Sequence, residues 1–151
     1  MNSKILSGAS AAAVIIVLAL WISGSPDVHY VARVIDGDTL VLDNGERVRL
    51  LGMDTPERGE PYYKEARDRL ILLVINKSVT LERGKENRDR YGRLLRWVRA
   101  GDVLADLDLV ERGFARTFML YEGDRYYNEL MEAERNARAA GTGIWSIPQD
   151  S

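Results

Sequence analysis

The sequence predicts an α+β fold: a small five-stranded β-barrel packed with about three α-helices and preceded by one hydrophobic N-terminal helix. Three observations carry this. Short β-branched runs separated by turn residues fill the first half of the soluble part, two stretches with helical spacing interrupt and follow them, and residues 5 to 26 carry no charge. The chain has 151 residues, 46% hydrophobic and 29% charged, with 4 prolines. That leaves material for one domain with a core and argues against disorder, a fibre or a repeat array. Residues 1–25 are read as a membrane anchor or signal peptide, and 26–151 as the domain.

From the N-terminus, Ala11 to Ile22 is an unbroken apolar run. As a helix, residues 5–26 would span about 33 Å, enough for a hydrocarbon core of ~30 Å. Ser23-Gly24-Ser25 offers small residues near a cleavage point, whereas Pro26 and Trp21 favour an uncleaved anchor. Lys4 marks the cytoplasmic flank, so the body is expected outside, tethered to a membrane or secreted if the segment is cleaved.

Val28 to Ile35 reads as a strand, Asp36-Gly37-Asp38 as a turn, and Thr39 to Leu42 as the next strand. Asn44-Gly45 is a hairpin signal, and Arg47 to Leu51 alternates as the returning strand, with polar side chains on one face of the meander. After Pro61, Ala66, Leu70, Leu73 and Val74 recur at three and four, which predicts a helix. Ser78–Glu82 and Leu94–Val98 are two further strands, with Arg83 to Arg93 a polar excursion between them. Ala100-Gly101-Asp102 turns into a short helix ending at Gly113, and Phe114 to Phe118 extends along the sheet edge. Tyr126 to Ala140 is the last helix, with Asp124 near its start and Gly141 just past its end. Five strands in a meander with three helices suggest a barrel of the OB type.

Composition narrows the chemistry. There is no cysteine, which excludes disulfides, thiolate zinc and a cysteine nucleophile, and His29 is the only histidine. Carboxylates, arginines, hydroxyls and an oxygen-ligated metal remain. The net charge is −2, and without Lys4 the body carries 20 basic against 23 acidic residues. Locally, seven cations from Arg83 to Arg99 face only Glu86 and Asp89, which reads either as a basic face for a short polyanion or as a solvated strand and turn.

Four patterns stand in order: Asp36-Gly37-Asp38-Thr39, Arg49 on the next strand, Asp54-Thr55-Pro56-Glu57 in the following loop, and Asp89-Arg90-Tyr91-Gly92-Arg93. Taken singly, each has a structural reading: a common turn, a solvated strand arginine, an Asx turn before proline, a cation beside an aromatic ring. Together and in this order they resemble the staphylococcal nuclease (thermonuclease) family. The resemblance runs from Val28 to Trp145 and includes Ala100-Gly101-Asp102, Glu111-Arg-Gly-Phe-Ala115 and Gly143-Ile-Trp145.

The resemblance implies an OB-fold barrel that cleaves DNA and RNA with calcium, prefers single strands, and leaves 3′-phosphate ends. It implies Asp38 and Asp54 as calcium ligands with the backbone carbonyl of Thr55, and Asp36 as an outer or occasional ligand. Glu57 corresponds to the catalytic glutamate, and Arg49 and Arg93 to two phosphate-binding arginines. Tyr91, Arg90 and Tyr121 are the candidate substrate contacts. A monomer with no obligate protein partner is expected, with the membrane engaged only through residues 5–26. Calcium suits a site of oxygen donors in loose geometry, and arginine's planar fork suits phosphate.

Two departures from the family pattern stand out: the loop after Glu57 is short, reaching the helix by Pro61, and Met119 stands where the family often has a tyrosine. Two competing readings are a catalytically inactive nucleic-acid or peptide binding module on the same fold, and an anchored adhesion domain with a calcium-binding turn. Neither gives a reason for the glutamate and both arginines together.

Overall fold

A computed structural model describes residues 28–148, so the expected N-terminal helix lies outside the described residues. Strands β1 (Val28–Val34), β2 (Thr39–Leu42), β3 (Arg47–Leu50), β5 (Ser78–Arg88) and β6 (Leu94–Ala100) pair in the order β3-β2-β1-β5-β6. The sheet closes because β3 also pairs with β6, in parallel, through Val48↔Leu94 and Leu50↔Arg96. All other pairings in the barrel are antiparallel. Two more short strands, β4 (Met53–Asp54) and β8 (Arg116–Thr117), form a separate ribbon, and β7 (Val103–Leu104) pairs antiparallel beside the end of β6.

Three helices cover the barrel: α1 (Tyr63–Val74), α2 (Ala105–Glu111) and α3 (Tyr127–Ala140). The predicted apolar face of α1 is the buried one, since Ala66, Leu70, Leu73 and Val74 are all enclosed. Gly141, at φ 62, ends α3 in the left-handed conformation expected of it. Asp124 does not cap α3; its carboxylate accepts the N–H of Tyr121 in the preceding turn. The core runs through barrel and helices together, with Leu40, Val48, Leu70, Val98, Leu109 and Leu130 at 0% exposure.

Three expectations need correction. The stretch from Arg83 to Arg93 is mostly strand: β5 continues to Arg88, shifting register against β6, and only Asp89–Gly92 is a turn. Backbone pairing sustains such an arm without apolar side chains, so periodicity could not reveal it. Arg116–Thr117 pairs with β4 and not with the edge of the barrel sheet. Finally, β2 is buried on both faces, so the meander lacks the clean polar face that alternation implied.

The basic cluster is likewise divided by the fold. Arg96 is 9% exposed and bonds to Asn87, Arg99 pairs with Glu82, and Arg88 with Glu46. Of the seven cations, Lys85, Arg90 and Arg93 line the cleft described below.

Candidate active site

The β1–β2 turn delivers Asp38, β3 delivers Arg49, β4 delivers Asp54, and the loop behind it delivers Thr55 and Glu57. Arg49 is the hub. Its Nη1 donates to the carbonyls of Leu50 (2.7 Å) and Met53 (2.9 Å), which fixes the guanidinium against the backbone. Its Nη2 lies 3.2 Å from Asp38 Oδ2 and 3.1 Å from Asp54 Oδ1. Two carboxylate oxygens from distant parts of the chain therefore converge on one point. The side chains of Arg49 and Asp38 are only 12% and 11% exposed, so this is a pair largely removed from water.

Asp38 is held on all sides. Thr39 Oγ1 donates to Oδ1 at 2.9 Å, and the N–H and hydroxyl of Thr55 each donate to Oδ2 at 3.2 Å. Asp36 Oδ1 accepts the Asp38 N–H at 3.2 Å, tying the turn together. Burial pushes the Asp38 carboxyl above the ordinary carboxylate range; Arg49 opposes this, while the negative charge of Asp36 adds to it.

The second arginine is oriented from its other side. Asp89 Oδ2 accepts from Arg93 Nε at 2.6 Å, and Asp89 Oδ1 accepts the N–H groups of Tyr91 and Arg93. Burial alone would raise Asp89, but these hydrogen bonds hold its carboxyl below the usual value. Arg93 Nη1 also approaches Thr39 Oγ1 at 3.5 Å, which links it to the Asp38 side of the site.

All of these groups face one open cleft of about 730 Å³, lined by Asp36, Asp38, Arg49, Asp54, Glu57, Arg90, Tyr91, Arg93 and Tyr121. The fold thus gathers every side chain singled out in the sequence; Thr55, expected to act through its carbonyl, is buried behind Asp38. Glu57 is exposed at the rim. Tyr91 is 67% exposed, with the Arg90 guanidinium 4.8 Å and that of Arg93 5.5 Å from its ring centre. Tyr121, 59% exposed, belongs to the wall that also carries Phe118 and Met119; Lys85 lies 5.9 Å over its ring and pairs with Asp124.

Gly52 forms part of the floor at φ +68, and an added Cβ would come within 2.6 Å of the Trp97 ring. Only glycine suits this turn between Arg49 and Asp54.

Three further residues shape the site. Arg116, directly across the β4–β8 ribbon from Asp54, donates to Asp54 Oδ2 at 2.9 Å. No sequence signal marks it, because the register of two-residue strands is set by tertiary packing. Asp89 was visible as the start of its motif, and its i,i+4 spacing to Arg93 is the signal for its role. Asp106, fully buried, accepts the N–H of Leu51 through Oδ1 and that of Val98 through Oδ2, both at 2.9 Å. It thereby ties the exit of β3, which leads to Asp54, to β6.

The donor chemistry can be tested for a metal. Among the described residues, no three carboxylate, histidine or cysteine side chains form a cage. Asp38 and Asp54 nonetheless present two carboxylate oxygens around one cationic nitrogen, and no histidine or cysteine lines the described cleft. Such a set suits a hard divalent cation that completes its shell with carbonyls and water.

Comparison with known proteins agrees with the geometry. The family model for staphylococcal nuclease homologues matches residues 47–147. A thermonuclease of Staphylococcus intermedius is 36% identical over 126 residues, covering 78% of this chain and 75% of that protein. An uncharacterized endonuclease of Escherichia coli is 36% identical over 125 residues, covering 80% and 78%. Endonuclease YncB of Bacillus subtilis is 36% identical over 125 residues, covering 76% of this chain and 59% of its own length. With its closed five-stranded barrel and this extent of similarity, the chain belongs to the family of staphylococcal nuclease homologues and is a hydrolase of that nuclease type.

Proposed function

We propose that the chain is a calcium-dependent endonuclease that hydrolyses phosphodiester bonds in DNA and RNA, preferring single strands and leaving 3′-phosphate ends. The observation that carries this reading is the convergence of Asp38 Oδ2 and Asp54 Oδ1 on Arg49 Nη2, in a cleft that also holds Glu57 and Arg93. In this reading Asp38, Asp54 and the Thr55 carbonyl hold the ion, with Asp36 behind them. When bound, calcium supplies positive charge beside the phosphate oxygens as negative charge grows there.

The protein's own groups do the rest. Arg49 and Arg93 present guanidinium forks to the phosphate and stay protonated throughout, so they neutralise the developing charge without rearrangement. Asp89 holds Arg93 by its Nε edge and fixes the direction of that fork. Glu57, exposed at the rim, accepts a proton from the attacking water or orients it. Tyr91 offers an open ring for base stacking, with Arg90 beside it and Tyr121 lining the same cleft.

Cleavage of single-stranded DNA, single-stranded RNA and a plasmid, with calcium and with excess chelator, tests the proposal. Activity lost in chelator and restored by calcium supports it. Full activity in chelator, or restoration by zinc alone, overturns the calcium assignment. Binding without turnover returns the molecule to the inactive binding module.

The same reading puts the body outside the cytoplasm, anchored by residues 5–26, where calcium is plentiful and the cell's own nucleic acid is absent. Support comes from the uncharged length of that segment and from Lys4 before it. Cell fractionation checks this. Full-length chain in the membrane fraction, with a body open to added protease, supports the anchor. Product in the medium starting near Ser25 or Pro26 means a cleaved signal, and full-length soluble cytoplasmic chain defeats both.

A further inference from the structure

The barrel has two ends with different surfaces. At the cleft end, the β1–β2 turn packs against α1: a Cβ on Gly37 would come within 2.8 Å of Ala66 Cβ. From that contact β1 and α1 both lead away. β1 reaches its other end at Val28, and α1 ends at Val74, where Ile75 bridges to Val31. At this far end Tyr30 pairs with Ser78, while Lys77 Nζ donates to the Leu72 carbonyl at 3.0 Å, so Tyr30 and Leu72 belong to one neighbourhood.

That neighbourhood carries exposed apolar side chains among polar ones. Val28 is 48% exposed, Tyr30 59% and Leu72 64%. Val28 and Tyr30 share one face of β1, since their side chains are two residues apart on a strand. The uncharged stretch 5–26 ends one residue short of Asp27, itself next to Val28. Pro26 and Val28 Cα atoms are therefore at most about 7 Å apart. If the stretch lies in a bilayer, Val28 is at its surface by covalent continuity alone.

We propose that the Val28, Tyr30 and Leu72 surface rests in the lipid headgroup region of the bilayer that holds residues 5–26, so that the cleft opens on the far, water-facing side. This rests on the anchor reading given above. Tyrosine suits the interface, with a ring for the apolar boundary and a hydroxyl for water. Lys77, exposed at this end, is a cation that meets anionic headgroups, while Asp43, whose N–H donates to the Tyr30 carbonyl, Asp68, one helical turn before Leu72, and Asp27, next to Val28 in the sequence, are the acidic groups that must stay at the water edge. The stand-off lies between about 12 Å, from Ala66 to Val74 along α1, and about 20 Å along β1, which is bent by a bulge. Polyanionic substrate then reaches Arg49 and Arg93 without approaching a negatively charged lipid surface.

The chain has no cysteine, so single labels can be introduced without removing any. Full-length Tyr30→Cys, Leu72→Cys, Ser78→Cys and Glu86→Cys would each carry one fluorophore in phosphatidylcholine–phosphatidylglycerol vesicles containing headgroup nitroxide lipid. Ser78→Cys reads the same surface with all three apolar residues intact, and Glu86 lines the cleft. Quenching at positions 30, 72 and 78 several-fold stronger than at 86 is the expected result. Equal quenching at all four, or stronger quenching at 86, in chain that floats with the vesicles overturns the orientation alone. Chain that fails to float overturns the anchor reading and the orientation with it.

Discussion

Asp38 and Asp106 are both buried carboxylates within reach of the same strand, β3, and they are stabilised in opposite ways. Asp106 has fixed amide partners: its two oxygens take the N–H groups of Leu51 and Val98, and burial pushes its pKa up to about 7. Asp38 shares a guanidinium with Asp54 and accepts from two threonine hydroxyls and one backbone N–H. Backbone amides cannot be exchanged without opening the barrel, whereas an arginine's charge can be shared with an incoming ion or phosphate. The first arrangement is suited to holding β3 against β6, and the second to chemistry.

The largest effect is expected from Arg49→Ala, which breaks the Asp38 side of this comparison. Turnover should fall by about 10³ or more, as for loss of a preorganised charge in the transition state. Stability should also fall, by about 3 kcal/mol at neutral pH, because the buried Asp38 loses its cation, whereas Asp54 keeps Arg116. At 12% side-chain exposure Arg49 is not a surface residue whose loss the fold would absorb. Steady-state kinetics and urea unfolding check both parts, and unchanged stability would mean that Asp38 is effectively solvated.

The Asp106 side is tested by pH. A folded pKa raised from 3.8 to about 7 means the native state holds this proton more tightly than the unfolded chain. Its contribution to stability is full below about pH 4 and is lost as pH rises through about 7. At about 1.4 kcal/mol per pH unit the loss is up to about 4 kcal/mol. Asp106→Asn should flatten this part of the stability profile, as measured by chemical denaturation from pH 4 to 8. A profile identical to that of the parent chain would show that the amide partners already hold Asp106 ionised.

Glu57→Gln sharpens the contrast between rim and floor. The residue is exposed, so turnover should fall by about 10² while the thermal midpoint stays put. A variant with near-parental turnover would remove Glu57 from the mechanism. The smallest effect is expected from Arg116→Ala. Its side chain is 61% exposed, so the change in stability should stay under about 1 kcal/mol. On the calcium proposal, the ion should bind a few-fold more tightly with one cation fewer beside Asp54, as read by calorimetric titration. Weaker binding would mean that Arg116 orients Asp54 more than it repels the ion.

Much of the site was legible because its parts come from short chain segments with fixed chemistry. Asp36, Asp38, Asp54, Glu57 and Arg93 sit in short turns and loops that each have an ordinary structural reading, and it is their order along the chain that resembles the staphylococcal nuclease family and implies their roles. The long β5 arm was not legible, because strand pairing there is made by the backbone while the side chains are polar. Arg116 and Asp106 were missed as parts of the site for a related reason. Each acts on a residue more than fifty positions away, Asp54 and Leu51 respectively, and nothing local marks such a partnership.

Local chemistry alone determined the helix faces, the Asn44-Gly45 hairpin, the apolar segment before Val28 and the residue types available for catalysis, because periodicity and turn preference act over a few residues. Tertiary structure decided the parallel closure of β3 on β6, the division of the basic cluster among separate partners, and the burial of Asp38 and Arg49. Burial depends on what the rest of the chain places around a residue, and so does the meeting of Asp38 and Asp54 at a single arginine nitrogen.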